Sequence, residues 1–578
     1  MSQSEPLERP IDSTIRIDGP LLLMSLLLGV VALLVLTPLF LMILNSFQIS
    51  NPGDEVVYGL QGWQEVFTTP GMQESIVNTF SLALTRQLIA LVVGIFLAWL
   101  LARTDIPMRG GLEFLFWLSF FLPALPVTMG WLLLLDPKFG LLNQWLLQLP
   151  FVHEPPFNIY SFWGIVWAHL SATTLAIKVM LLTPAFRNMD AVLEESSRIS
   201  GASALGTLVR IITPVMMPAI LVTTILGLIR SLEAFEIELL LGVPIGLHVF
   251  STMIHELVIA EPPEFPPAMA LSTVFLVMLL LLVAFQKMFI RRRNYTTVTG
   301  RGFSMRLTPL GRWKYPAFAL VLIIALVITV VPTAFLVLGT FMRLFGFFNI
   351  QDPWTLDNWR GVLSDPVIYR SLRNTLVIGL GAGGIGVMLY SLIAYVIVKS
   401  RFAGRAVLDF ISWLPWSIPG ILLGIALLWT FLGTRIFLPL YGTLYILIIA
   451  MIIKGMPFGT QLLKSIMMQM SNELEEASRI SGASWLYTYC RVLLPLLFPA
   501  LMTVGLVVFI SAARDIGTVI LLATGRTRTL SLLMLDFASE AEFERATVVA
   551  VIIVVLVVIA AFIARSFGGQ LSTRGETK

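Results

Sequence analysis

The chain has 578 residues, 57% hydrophobic and 12% charged, with a formal net charge of +4 and one cysteine. Soluble proteins average about 25% charged residues, so a single water-facing globule is excluded and a bilayer is the natural solvent. The lone cysteine, Cys490, excludes an internal disulfide and a multi-cysteine metal site.

The N-terminus is mixed polar to Gly19, without the basic segment and short apolar core of a secretory signal. The first apolar run, Pro20 to about Ser46, reads as a retained membrane helix, because a ~30 Å hydrocarbon core takes about 20 helical residues. Further runs follow at 76–101, 112–135, 160–183, 214–232 and 268–290, then at 315–341, 374–398, 407–432, 442–463, 495–513 and 546–564. A lipid-exposed backbone must satisfy its own hydrogen bonds, so all are expected to be helices. The expected architecture is an all-α membrane protein of about 12 transmembrane helices in two homologous six-helix halves. It divides into a tail (1–19), a first transmembrane domain (20–290), a basic linker (291–314), a second transmembrane domain (315–564) and a C-terminal tail (565–578).

Loop charge sets the orientation. The loops Arg103–Arg109, Arg187–Arg210, Arg291–Lys314, Lys399–Arg405 and Lys464–Arg491, with both termini, carry about 23 basic residues against about 10 opposite. The opposite loops at 47–75 and 233–267 carry none. Both termini are therefore expected in the cytoplasm.

The halves repeat each other. Leu60, Trp63, Asn78, Thr79, Glu113, Trp117 and Pro123 match Leu356, Trp359, Asn374, Thr375, Asp409, Trp413 and Pro419 at an offset of 296. Later the offset falls to 281, which places about 15 extra residues in the Pro-rich external stretch Asp136–Asn158 of the first half. Halves of the same sense are expected to pair about an axis along the membrane normal.

The strongest repeat is polar. Leu193-Glu-Glu-Ser-Ser-Arg-Ile-Ser-Gly-Ala-Ser203 returns as Leu474-Glu-Glu-Ala-Ser-Arg-Ile-Ser-Gly-Ala-Ser484, and roughly 16 of the 28 residues from each leucine are identical. Each copy predicts a short polar helix, a glycine turn at Gly201 or Gly482, and a second helix opening near Pro214 or Pro495. Cys490 is expected to pack inside the second copy.

Glu476-Ala477-Ser478, Gly482 and Val492-Leu493-Leu494-Pro495 resemble the EAA motif of permease subunits of binding-protein-dependent ABC importers. The first copy, Glu195-Ser196-Ser197, Gly201 and Ile211-Ile212-Thr213-Pro214, departs from it by serine for alanine and threonine for leucine. The resemblance implies a type I importer permease whose cytoplasmic knobs, through Glu194, Glu195, Gly201, Glu475, Glu476 and Gly482, engage two copies of an ABC ATPase. It also implies a multi-pass protein of a bacterial inner membrane, served by an extracytoplasmic solute-binding protein, and no nucleic-acid partner. The chain lacks a Gly-x-x-x-x-Gly-Lys-Ser/Thr phosphate loop. ATP and Mg are therefore expected on the partner, with no cofactor, metal site or catalytic residue on this chain.

After the first knob comes Arg230-Ser-Leu-Glu233-Ala-Phe-Glu236, and at the corresponding place Arg514-Asp515. Arg230 and Glu233 share a helix face and can pair. Arg230, Glu233, Arg514 and Asp515 are candidates for the translocation path or its gate, with structural ion pairs as the alternative. The stretch resembles fused ferric-iron importer permeases, while thiamine importers share the fused layout. Lys178 and Lys454, in the fourth spans, can neutralise carboxylates or snorkel. His153, His169, His248 and His255 lack metal-ligand spacing. Trp63 and Trp359 are expected to anchor short external helices. A secondary transporter also fits twelve spans, but the Gly-x-x-x-Asp-Arg-x-Gly-Arg loop of the major facilitators does not occur at 102–111 or 399–406.

Overall fold

A computed structural model describes residues 19–50, 55–189, 192–291 and 307–573. Residues 1–18 of the N-terminal tail, 292–306 of the linker and the last five residues lie outside the described residues. Within the described residues the regular structure is helical, apart from isolated bridges such as Gln48–Tyr58 and its counterpart Met342–Trp354. Nine of the described helices are long and apolar enough to cross a membrane, and 13 spans result if four bent pairs each count as one.

The two third spans, expected as single helices over 112–135 and 407–432, are broken. Arg109–Phe121 meets Ala124–Leu135 at 102°, and Arg405–Ser417 meets Gly420–Gly433 at 111°. Pro123 and Pro419 stand at the breaks, each as N-cap of the following helix. Proline has no N–H to continue a ladder and disfavours a helical predecessor, so a run of helical hydropathy turns a corner there. The fifth spans differ from each other. Ala204–Val215 and Met217–Leu232 bend by 76°, whereas Trp485–Ala513 runs through its prolines as one span.

The stretch 233–267, expected as an external loop, instead contains a bent pair, Glu238–Ile245 and Phe250–Ile259, at 80°. Phe250 and Ile254 in it are buried. Leu530–Ser539 is its counterpart. The repeated Asn-Thr pair explains why both segments fold inward. Asn78 Nδ2 donates to the His248 carbonyl (3.1 Å) and Thr79 Oγ1 accepts from Phe250 N (3.0 Å). Asn374 Nδ2 donates to the carbonyls of Arg526 and Arg528 (3.0 Å each) and Thr375 Oγ1 accepts from Leu530 N (2.9 Å). Each pair thus satisfies helix-terminal backbone groups that would otherwise be orphaned. The extra residues of the first half lie in 136–161, against 434–443 in the second.

The halves interlock by exchanging their first spans. Gly19–Asn45 packs on Gly420–Gly433 of the second half, and Lys314–Gly339 packs on Ala124–Leu135 of the first. At the latter contact a Cβ on Gly130 would collide with the backbone of Pro332. Close helix approach through small residues is the usual way membrane helices gain packing energy.

Candidate functional site

The two polar repeats fold alike. Val192–Ile199 and Glu473–Ile480 are single short helices. Each ends at a left-handed glycine, Gly201 (φ +84°) and Gly482 (φ +79°), a conformation that costs a residue bearing a Cβ. Ser203 and Ser484 then cap the next helix by accepting from Gly206 N (3.1 Å) and Tyr487 N (3.3 Å). A hydroxyl pair closes each hairpin, Ser197 Oγ with Thr207 Oγ1 at 2.9 Å and Ser478 Oγ with Thr488 Oγ1 at 2.8 Å. Ala202 N and Ala483 N donate to the carbonyls of Ser197 and Ser478, both at 3.1 Å.

The adjacent glutamates of each copy have opposite fates. Glu194 and Glu475 are buried, while Glu195 is half-buried and Glu476 exposed. Glu194 accepts from Arg103 Nε (2.8 Å), and Arg103 also donates to the Met189 carbonyl. Glu475 accepts from Tyr395 OH (3.2 Å) and lies 3.7 Å from Lys399 Nζ. The first glutamate of each pair therefore tethers its knob to the end of the second span, and an outer face remains for contact. That face is apolar as well as acidic: Ile199 and Ile480 are each 87% exposed, and Leu205 and Leu486 are also exposed. Cys490, expected inside, is exposed. It sits on the π turn Tyr489–Leu493, where Tyr489 and Leu493 take the buried positions. A cavity of about 680 Å³ lies beside the second knob, lined by Ala477, Ser481, Gly482 and Tyr487 among others.

Thr308, at the end of the linker, reaches the first knob. Its N donates to the Arg103 carbonyl (2.7 Å) and its hydroxyl to Glu194 (3.3 Å).

The second constellation lies on the seam between the halves. Arg230 pairs with Glu233 (3.0 Å) and stacks over Trp416 of the other half, 5.4 Å from the ring centroid. Arg514 donates to the Phe120 carbonyl of the first half (3.2 Å). Phe120 and Trp416 are one repeat offset apart, at the breaks of the two third spans, so each half sends an arginine to the other's corner. Asp515 is buried, pairs with Lys454, and accepts from Thr518 N (2.9 Å). The structure thus brings Arg230, Glu233, Arg514 and Asp515 into one region, together with Lys454 and Glu236, which sequence reading did not select. Glu236 feels the charges of Asp515, Lys454 and Arg514 across the seam.

Behind the seam, Glu238 accepts from Arg86 (3.1 Å) and His169 (2.7 Å), all within the first half. Arg86 further donates to the Ser231 carbonyl, and Gln87 Nε2 donates to the Gly227 carbonyl (2.9 Å). Lys178 is fully buried and donates to the Thr223 carbonyl (2.6 Å) without snorkelling. Sequence reading missed Arg86 and Glu238 because their partners are about 150 residues away. A cation inside an apolar run was the available signal.

Residues 384–571 match the family described as binding-protein-dependent transport system inner membrane component. The ferric transport system permease protein FbpB of Actinobacillus pleuropneumoniae is 28% identical over 67% of this chain and 55% of its own length. A putative ferric transport permease of Haemophilus influenzae is 28% identical over 64% of this chain and 58% of its own. The chain thus spans little more than half the length of these two relatives. A second Haemophilus influenzae protein, an Fe(3+)-transport system permease, is 21% identical over 94% of this chain and 98% of its own. A solved bacterial ABC transporter involved in import of the acidic polysaccharide alginate has TM-score 0.41 and 20% identity over 47% of this chain and 96% of that one. Residues 384–571 thus resemble the inner membrane component of binding-protein-dependent transport systems, and nearly the whole chain is similar to a permease named for Fe(3+) transport.

Proposed function

We propose that this chain forms the translocation path of a bacterial ABC importer, lies in the inner membrane with both termini in the cytoplasm, and carries ferric iron delivered by an extracytoplasmic binding protein. The observation that carries this reading is the paired knobs, two hairpins with the same glycine turn, the same hydroxyl clasp and the same inward-facing glutamate. Two like handles on one chain suit two copies of one ATPase subunit, which would hold ATP and Mg. Nucleotide-driven closure of those subunits would draw Ile199 and Ile480 together, and the tethers at Arg103 and Lys399 would pass the motion to the second spans. The interlocked first spans would then make the halves rock as units about the seam. The role of this chain is conduction, and hydrolysis belongs to the partner. Iron is supported by the resemblance of Arg230–Glu236 to ferric permeases and by relatives named for ferric transport.

The test is purification of the tagged chain from its native membrane, followed by reconstitution with whatever ATPase accompanies it. Hydrolysis stimulated by an iron-loaded binding protein supports the reading. A chain that purifies without an ATPase and transports on an ion gradient overturns it.

A further inference from the structure

The inner glutamate of each knob is held by the same two kinds of group, drawn from different places. Glu194 Oε1 accepts from Arg103 Nε at 2.8 Å, and its Oε2 accepts from the Thr308 hydroxyl at 3.3 Å. Glu475 Oε1 lies 3.7 Å from Lys399 Nζ, and its Oε2 accepts from Tyr395 OH at 3.2 Å. Arg103 and Lys399 stand one repeat offset apart at the end of the second span, so both halves keep the cation. The hydroxyl has changed its source. The residue that matches Tyr395 in the first half is Trp99, whose indole has no hydroxyl to give. Tyr395 packs between Trp485 and Tyr489, with ring centroids 5.7 and 5.6 Å away. Ala204 and Leu208 take those two places in the first half. Trp99 and Leu208 share one buried cluster, with Ala204 packed against it, so the larger indole fills room that smaller neighbours leave.

Thr308 reaches Glu194 because the end of the linker is strapped across the first half. Thr308 is buried, its N donates to the Arg103 carbonyl (2.7 Å), and its carbonyl accepts from Asp105 N (3.3 Å). The Asp105 carboxylate in turn accepts from Leu310 N (2.9 Å) and pairs with Lys314 (3.6 Å). Leu310 packs against the cluster that holds Trp99. These contacts fix the hydroxyl beside Glu194, and the strap runs straight into Lys314–Gly339, the first span of the second half. A buried carboxylate oxygen without a donor is costly, so the hydroxyl sets how firmly Glu194 sits. We propose that Thr308 is a positioning residue of the first handle: the linker lends the first half the hydroxyl that Tyr395 gives the second, and so seats the helix Val192–Ile199 for the ATPase stroke. The second glutamate is held from its own second span, whereas the first depends on a segment that leads into the other half. This rests on the handle reading above and deepens it.

The experiment uses proteoliposomes containing the whole complex with its ATPase and a binding protein loaded with radioactive ferric iron. The chain carries Cys490→Ser with either Ser196→Cys or Ala477→Cys, so that each knob reports its own contact by crosslinking. Thr308→Val keeps the backbone bonds of the strap and removes only the hydroxyl. It is expected to lower ATPase crosslinking at 196, and iron uptake per ATP hydrolysed, by about tenfold, the factor carried by one hydrogen bond to a charged group. Crosslinking at 477 should not change. Thr308→Ser should keep both signals. Trp99→Tyr added to Thr308→Val should restore them, because it offers the first half the hydroxyl that the second half uses. Unchanged crosslinking at 196 in Thr308→Val overturns the proposal, as does an equal loss at 196 and 477, which marks general destabilisation. A loss in Thr308→Ser as deep as that in Thr308→Val also overturns it, and so does a double variant that assembles at wild-type yield yet stays uncoupled. Wild-type complex in which neither position captures an ATPase sinks the handle reading and this inference with it. Wild-type complex that crosslinks but moves no iron sinks only the ferric reading, and the comparison of 196 with 477 still decides this inference.

Discussion

Lys178 and Tyr390 fill the same gap in opposite halves, entering it from opposite sides. In the first half the second span carries Gly94, where a Cβ would come within 2.6 Å of Lys178 Cβ on the fourth span. In the second half the second span carries Tyr390, one repeat offset from Gly94, and the fourth span carries Gly459, whose Cβ would collide with the tyrosine ring. Tyr390 OH donates to the Ile452 carbonyl at 2.6 Å. The duplicated scaffold keeps its helix spacing by exchanging which helix supplies the bulk.

That compensation predicts strong position dependence. Gly459→Leu should destabilise the second half by about 1–3 kcal/mol, the usual cost of overpacking, because the ring of Tyr390 is hydrogen-bonded and cannot withdraw. Gly459→Leu combined with Tyr390→Gly should regain much of the loss. Melting temperature of the detergent-solubilised protein measures both. An additive double variant would contradict the exchange.

The tethers of the knobs predict unequal costs. Glu194→Ala leaves Arg103 buried and unpaired, and breaking such a pair costs about 3–5 kcal/mol. Glu475→Ala should cost less, because its lysine contact is 3.7 Å and Lys399 keeps the Met470 carbonyl (2.9 Å) and the Asn472 side chain (2.6 Å). Glu476→Ala, at an exposed position, should leave stability unchanged. Thermal unfolding of the three variants ranks them.

The glycine turns predict a contrast between two substitutions. No heavy atom lies within 4 Å of a Cβ placed on Gly201 or Gly482. Alanine therefore meets only the left-handed backbone, a cost of about 1–2 kcal/mol, and transport should survive. Proline fixes φ near −65° and cannot adopt +84° or +79°. Gly201→Pro and Gly482→Pro should leave the protein in the membrane but separate ATP hydrolysis from solute uptake. Normal uptake in both would refute the role given to the turns.

Cys490 offers a probe that needs no engineering. It is exposed on the second knob, so a membrane-impermeant maleimide should label it from the cytoplasmic side, and a bound ATPase should slow that labelling. Labelling from outside the cell would invert the orientation.

The sequence made the large features legible because they rest on periodicity and repetition. Twelve apolar runs, the offset from Trp63 to Trp359 and the two polar islands are all visible in one dimension. The corners at Pro123 and Pro419 were not, because hydropathy ignores direction and a broken helix has the same composition as a straight one. The inward fold of 233–267 was hidden for another reason. Its polar ends are satisfied by Asn78 and Thr79, more than 150 residues away. At the knobs, adjacent glutamates look equivalent in sequence, and only the helix face separates Glu194, held by Arg103, from Glu195. At the seam, the i to i+3 spacing announced Arg230 and Glu233, whereas Glu236 becomes distinct only when its neighbours are found to be occupied.

The two hairpins are proposed as the handles of an external ATPase. Single cysteines in place of Ser196 or Ala477, in a Cys490→Ser background, should crosslink to a nucleotide-hydrolysing subunit at both sites, and adding ATP should change the yield. Failure of both sites to capture such a subunit, with both cysteines reactive from the cytoplasm, would contradict the account.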